Sequence, residues 1–346
     1  MFPVFLVLLL VTSCKTPPSL GTKLQRKGDE IVAAGQLFHT GTPVVLWTDS
    51  GGYDAYRVER RFSPLEESDW ESSHKTVKDL ETPNRYGLRR SPALTPEDIE
   101  RLRGGGWDLS KLQEVVDQFV IHYDQCGTSR QCFKILHDFR GLSVHFLLDV
   151  DGTIYQTLDL KERAWHATSS NSRSVGIEIA HIGAYDPLRK NPLDVWYQTE
   201  ADGNIRITIP KQFGNGGILT PDFVGRPMHP KPVTGTIQNR ELIQYDFTRQ
   251  QYEALAKLGA TLCRIFPKIT NDYPQDPKGK LINCKMSDSN LTNYQGFLAH
   301  YHIQTNKIDP GPAFQWQWLK ERVQFYSKSK QQLRPAVKGS EALYQH

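Results

Sequence analysis

No run of lysine or arginine, no internal repeat and no apolar stretch long enough to cross a bilayer occurs in this 346-residue chain. The apolar run at residues 2–11 holds about ten residues, where a spanning helix needs about twenty. It has the length of an export-signal core, yet no basic residue precedes it, so the charged leader of such a signal is missing. Lys and Arg number 42 against 38 Asp and Glu, a net charge of +4. That mild excess, with no clustered cations, argues against nucleic acid as a partner and only hints at an acidic one. Cysteine is scarce at five residues. No CxxC-like pair stands near histidines, which disfavours a thiolate metal site.

The apolar run gives way to small and polar residues, Thr12-Ser13-Cys14. The tetrapeptide "VTSC" resembles the lipobox of bacterial lipoproteins, which implies cleavage before Cys14 and lipidation of its thiol. Lys15 in place of an aspartate implies, by the same resemblance, sorting to the outer membrane facing the periplasm. The competing reading is an ordinary export signal with a chance cysteine. Residues 1–13 are therefore expected to be a signal peptide, and 14–28 a lipidated cysteine with a Pro/Ser/Gly tether. In an exported chain the even remainder of Cys126, Cys132, Cys263 and Cys284 favours disulfides. Cys126 with Cys132 is the natural local pair, although three connectivities remain open.

Beyond the tether, residues 29–105 form an accessory region with one β-like run, "PVVLW", and a helix that Thr95 caps ahead of Pro96. From about 106 to 325 strands and helices alternate. "EVVDQFVIHYD" and "SVGIEIA" are expected as strands and residues 129–140 as a helix with Phe133, Leu136 and Phe139 inward. "LSVHFLLDVDGTIYQTL" is expected as a hairpin turned in type I′ fashion by Asp151-Gly152. Residues 185–245, rich in Pro and Gly around "NIRITIP", are too long for an ordinary loop and read as an insertion forming a lid or a substrate wall. The helical period returns after residue 246, with Tyr252, Leu255, Leu258 and Leu262 on one face and Pro267 ending it. Residues 326–346 are a polar tail. The expected fold class is α/β, a mixed central sheet flanked by helices.

Chemistry concentrates at strand ends and in one corner. Alternation places Val120 with His122 on one face of their strand, and Glu178 opposite Val175, Ile177 and Ile179 on its own. If these strands are neighbours, an imidazole and a carboxylate project together. A carboxylate between two isoleucines is costly unless paired, solvated or functional. Near the other end, "AHYHIQTNKIDPGPAFQW" sets His300, Lys307 and Asp309 ahead of a Pro-Gly-Pro corner. Pro310 forces Asp309 into extended backbone, and Pro312 suits the first turn of a helix carrying Phe314, Trp316 and Trp318. A catalytic zinc takes three N or O ligands from distant segments and keeps a position open. A cation beside it, such as Lys307, can stabilise an oxyanion.

In chain order, "VIHYD", "LSVHFLLDVDGTIYQ", "RAWHA", "NSRSVGIEIA" and "HYHIQTNKIDPGPAFQW" resemble the zinc-dependent N-acetylmuramoyl-L-alanine amidases of the amidase-2 type. That superfamily includes phage lysozyme-like amidases and animal peptidoglycan recognition proteins. The resemblance implies one Zn2+ held by His122, His300 and Asp309, with Glu178 as general base and Lys307 as the transition-state cation. It implies Trp165, His166 and Asn171 along a substrate groove, peptidoglycan or muropeptides as partners, and a disulfide between Cys126 and Cys132 like that of the recognition proteins. Val144 stands where some relatives carry a catalytic tyrosine, so proton transfer falls to Glu178. His302 and His145 are rival ligands, His302 ranking behind because it lies two residues from His300. Other readings are a binding module without catalysis, against which Asp309 speaks, a structural envelope lipoprotein, and an amidase confined to soluble anhydro-muropeptides.

Overall fold

The computed structural model describes residues 19–76 and 85–328. The expected signal peptide, Cys14 and residues 329–346 of the expected tail lie outside the described residues. The chain opens with β1 (Glu30–Ala33), β2 (Gln36–His39), β3 (Val44–Leu46) and α1 (Trp70–Thr76), then β4 (Tyr86–Leu88), α2 (Pro96–Leu102) and α3 (Leu109–Val115). β5 (Gln118–Tyr123), α4 (Ser129–Phe133), β6 (Phe146–Leu148), β7 (Ile154–Gln156), β8 (Glu162–Ala164) and β9 (Ser174–Ile179) come next. Residues 185–245 hold α5 (Leu193–Trp196) and two hairpins, β10 (Tyr197–Thr199) with β11 (Ile205–Ile207) and β12 (Val233–Ile237) with β13 (Arg240–Gln244). After them come α6 (Arg249–Ile265), α7 (Asp288–Asn293), β14 (Gly296–Ala299) and α8 (Trp316–Lys328).

Six strands form the central sheet in the order β14-β5-β9-β6-β7-β3. All neighbours run parallel except β6 and β7, which are antiparallel. The α/β class with a mixed sheet and flanking helices is thus observed. Because side chains alternate along a strand, the sheet has two distinct faces. Phe119 and Ile121 of β5 and Val175, Ile177 and Ile179 of β9 pack into the main core with Leu255, Leu258 and Leu262 of α6 and Leu319 and Val323 of α8. Each such side chain, fully buried, contributes about 1.5–3 kcal/mol. α6 starts where expected, since Thr248 accepts from the Gln251 amide and the Gln251 side chain accepts from the Thr248 amide, a capping box. Thr95 makes the same box with Asp98 at α2. The opposite face carries Val120, His122 and Glu178, and it is there that the chemistry gathers.

Several local expectations are corrected. "PVVLW" joins the central sheet, where β3 pairs in parallel with β7 at its edge. Residues 114 and 115 end a helix, so the strand there is confined to 118–123. The β6–β7 hairpin exists, but of Asp151 and Gly152 only Gly152 has positive φ, at 88°. A type I′ turn requires it at both positions, so the connection is a longer loop closed by the Gly152 amide on the Asp149 carbonyl. After α4 the chain widens into a π-helical stretch, Lys134–Phe139, which turns Phe139 outward to 42% exposure. The last helix begins at Trp316, not at Pro312. Among the described residues no helix is long and apolar enough to cross a membrane.

Candidate metal centre and catalytic cleft

β14, β5 and β9 lie side by side and parallel, so their C-terminal ends open at one edge of the sheet. His122 is the penultimate residue of β5, and Glu178 faces it in register on β9. His300 comes directly after β14 in a one-turn 3₁₀ helix. Asp309 reaches the same spot from the corner, across a cis peptide to Pro310. Strand order therefore brings His122 beside His300, 178 residues along the chain, and the corner adds Asp309.

Their atoms converge closely. His122 Nδ1 lies 3.0 Å from His300 Nδ1 and 2.9 Å from Asp309 Oδ2, and His300 Nδ1 lies 3.0 Å from the same oxygen. All three residues are buried. Two imidazole nitrogens and a carboxylate oxygen pointed at one another form the donor set of a metal site. Ligand atoms of a four-coordinate zinc stand about 3.3 Å apart, close to this spacing, so the residues fit such an ion. Burial and the neighbouring His300 push His122 down to about 4, keeping it neutral as a ligand must be. Burial alone would raise Asp309, but the imidazoles of His300 and His122 hold it well below the usual carboxylate range.

The outer nitrogens of both histidines are also engaged. In the tautomer that leaves Nδ1 of His122 free for an ion, its Nε2–H donates to His166 Nδ1 at 3.0 Å, and His166 Nε2–H donates to Ser174 Oγ at 3.2 Å. The Nε2–H of His300 donates to Gln304 Oε1 at 2.7 Å. Such outer partners fix the tautomer and orientation of a metal-binding imidazole. Neither Ser174 nor Gln304 carries a local sequence signal. The rivals are accounted for otherwise. His302 accepts from the Ala299 amide and donates to the Ile282 carbonyl. His145 accepts from the Gly176 amide and donates to the Glu162 carbonyl.

A cleft of about 830 Å³ opens over this centre, lined among others by Glu178, Lys307, Trp165, His166, Asn171 and Arg240. Glu178 Oε2 is buried without a partner among the described residues. Burial, then the charges of Asp309, Asp124 and Cys126, push its carboxyl well above the ordinary range, while Lys307 pulls it down. Asn171 shapes the wall, its Oδ1 accepting from the His166 and Ala167 amides at 3.0 and 2.6 Å. Trp165 lies under the Arg163 guanidinium, 6.0 Å from its ring centre.

The four described cysteines are free thiols, so the expected disulfides are not formed. Cys126 and Cys132 are nonetheless neighbours, their sulfurs and an Asp124 oxygen lying within 4.8 Å of one another at the side of this cleft. The Cys126 thiol instead donates to the Asp124 carbonyl at 3.0 Å. Cys263 is half-buried on α6 and Cys284 is exposed.

A profile of the family Amidase_2, described as N-acetylmuramoyl-L-alanine amidase, matches residues 112–312. No curated protein sequence matches. Among solved structures, a selenomethionyl AmpD derivative aligns at 17% identity over 69% of this chain and 90% of that one, with a TM-score of 0.33. AmpDh3 of Pseudomonas aeruginosa, in complex with anhydromuramic pentapeptide, aligns at 20% identity over 60% of this chain and 59% of its own, TM-score 0.32. AmiD of E. coli, an N-acetylmuramyl-L-alanine amidase in complex with anhydro-N-acetylmuramic acid-L-Ala-D-gamma-Glu-L-Lys, aligns at 18% identity over 68% and 60%, TM-score 0.32. This chain thus spans about three fifths of the length of the last two.

Proposed function

Because the chain belongs to the N-acetylmuramoyl-L-alanine amidase family, hydrolysing the amide between N-acetylmuramic acid and L-alanine in peptidoglycan or its muropeptides, we propose that its ion is a single Zn2+ held by His122, His300 and Asp309. The observation that carries this reading is the convergence of these three donors beneath a cleft that also contains Glu178. When bound, zinc would supply Lewis acidity toward the carbonyl and toward water. Glu178 takes a proton from the attacking water and delivers it to the nitrogen of the leaving L-alanine as the C–N bond breaks. A raised carboxyl suits both halves of that transfer. The Lys307 ammonium, at the same cleft, stabilises the negative charge on the carbonyl oxygen. His166 and Trp165 bound the groove beside the scissile bond, and the products are a glycan carrying a free lactyl carboxylate and a free stem peptide.

The test pairs metal content with chemistry. The chain from Lys15 and its Glu178→Gln variant should each hold about one zinc. Only the former should release stem peptides from purified sacculi or from soluble anhydro-muropeptides, the variant losing about 10²–10⁴-fold. A variant that cuts at the wild-type rate would remove Glu178 from the reaction, and a wild-type chain that cuts neither substrate would favour a peptidoglycan-binding role. We also propose, from the lipobox resemblance, that the protein is anchored through Cys14 at the outer membrane facing the periplasm.

A further inference from the structure

The hairpin β12–β13 lies in the segment read from sequence as a lid or wall. Its two ends grip the two segments that bring the C-terminal metal ligands. At the tip, Gln238 and Asn239 adopt positive φ, 52° and 59°, the mark of a tight type I′ turn. The Gln238 Nε2 amide donates to the carbonyls of Tyr301 and Gln304, both at 2.9 Å, and its Oε1 accepts from the Lys285 amide at 3.2 Å. The Gln238 backbone N–H donates to the Asn283 carbonyl at 3.0 Å. The tip is therefore pinned to the turn that carries His300. Gln304, held in this way, accepts from His300 Nε2 at 2.7 Å. Its carbonyl also accepts from the Lys307 amide at 3.3 Å.

At the other end, Gln244 has no exposure. Its Nε2 donates to the Pro310 carbonyl and its Oε1 accepts from the Ala313 amide, both at 3.0 Å, bracing the corner just after Asp309. Gly311 is required there. Its φ is +86°, and a Cβ on it would come within 2.2 Å of Gln244 Oε1.

We propose that the β12–β13 hairpin is a positioning clamp for the metal centre, in which Gln304 sets the His300 tautomer, Gln238 holds Gln304, and Gln244 holds the Asp309 corner. The need for it arises from where the ligands sit. His122 is built into a strand with neighbours on both sides, whereas His300 and Asp309 stand in a one-turn helix and a loop. A neutral imidazole can carry its proton on either nitrogen, and only one tautomer leaves Nδ1 free for the ion. An acceptor at Nε2 selects that tautomer, and partners of this kind change metal affinity by about 10–100-fold. Gln238, Gln244 and Gln304 contact the ligand segments and not the ion, so they are positioning residues.

The inference rests on the zinc assignment to His122, His300 and Asp309, and its test separates the two. Zinc affinity is measured by chelator competition on the full chain and on Gln304→Leu, Gln304→Glu and Gln238→Ala, alongside thermal unfolding of each metal-free protein. Gln304 and Gln238 are only partly buried, so these changes should lower the metal-free unfolding temperature by no more than a few degrees. The expected result is a loss of about 10–100-fold in zinc affinity for Gln304→Leu and Gln238→Ala, with Gln304→Glu, which retains an acceptor, restoring most of it. Normal zinc binding that is indifferent to Gln304, or an equal loss in the Leu and Glu variants, overturns the clamp alone. A wild-type chain that binds no zinc overturns the metal reading and the clamp with it.

Discussion

At Gly176 a single absent methyl makes the site possible. A Cβ there would lie 2.5 Å from both Cε1 and Nδ1 of His166, inside any permitted contact. The site face of β9 thus reads Ser174, Gly176, Glu178, which supply in turn an anchor for His166, a gap for its ring and the carboxylate proposed to transfer the proton. Gly176→Ala should push the His166 ring off His122 Nε2. Stability should fall by about 1–3 kcal/mol through overpacking, and zinc affinity by about tenfold through the lost support. Urea unfolding and chelator competition read the two effects, and an unchanged affinity in a folded variant would show that His122 does not depend on His166. Residue identity alone does not separate His122, His145 and His166, since each is one histidine among apolar neighbours.

The short strand β4 shows what an element can do beyond its own ladder. It pairs with β8 and leads into Arg89, which is wholly buried. Among the described residues no carboxylate lies within hydrogen-bond reach of the Arg89 guanidinium. It donates instead to the carbonyls of Leu160 at 2.8 and 3.1 Å, Ser172 at 3.1 Å and Ser174 at 2.9 Å, and burial lowers its pKa to about 9. One side chain from the region expected to be accessory therefore ties the β7–β8 connection to the start of β9. Arg89→Met would leave those buried carbonyls without donors and should cost about 2–5 kcal/mol, each orphaned group costing about 1–3. Equilibrium unfolding measures this, and a midpoint equal to wild type would mean that water replaces the guanidinium and that β4 is dispensable. Together with β3 at the sheet edge, the tie fastens residues 44–46 and Arg89 to the central sheet.

For the whole molecule, the proposed anchor at Cys14 predicts where the chain resides in the cell. The full chain should fractionate with membranes and incorporate labelled fatty acid, and Cys14→Ser should do neither, since attachment of this kind depends on the acyl chains. Unlabelled wild type, or a Cys14→Ser chain still held in the membrane fraction, would overturn the anchor. The fold and site were legible from sequence wherever the rule is local. Alternation separated Glu178 from its isoleucines because consecutive side chains on a strand must point to opposite faces. The cap Thr95 marked a helix start because the first amides of a helix lack internal partners. The remainder was decided by strand order and packing. β14, β5 and β9 side by side sort His122 and His300 into a metal centre and leave His145 and His302 to backbone bonds. The same packing brings Gln238 and Gln244 onto the ligand-bearing segments, at Tyr301 and Pro310, more than sixty residues further along the chain. Sequence by itself determined the direction in which each side chain leaves the backbone, because that is local geometry; only the tertiary structure decided which of them meet, because burial and convergence belong to the assembled sheet.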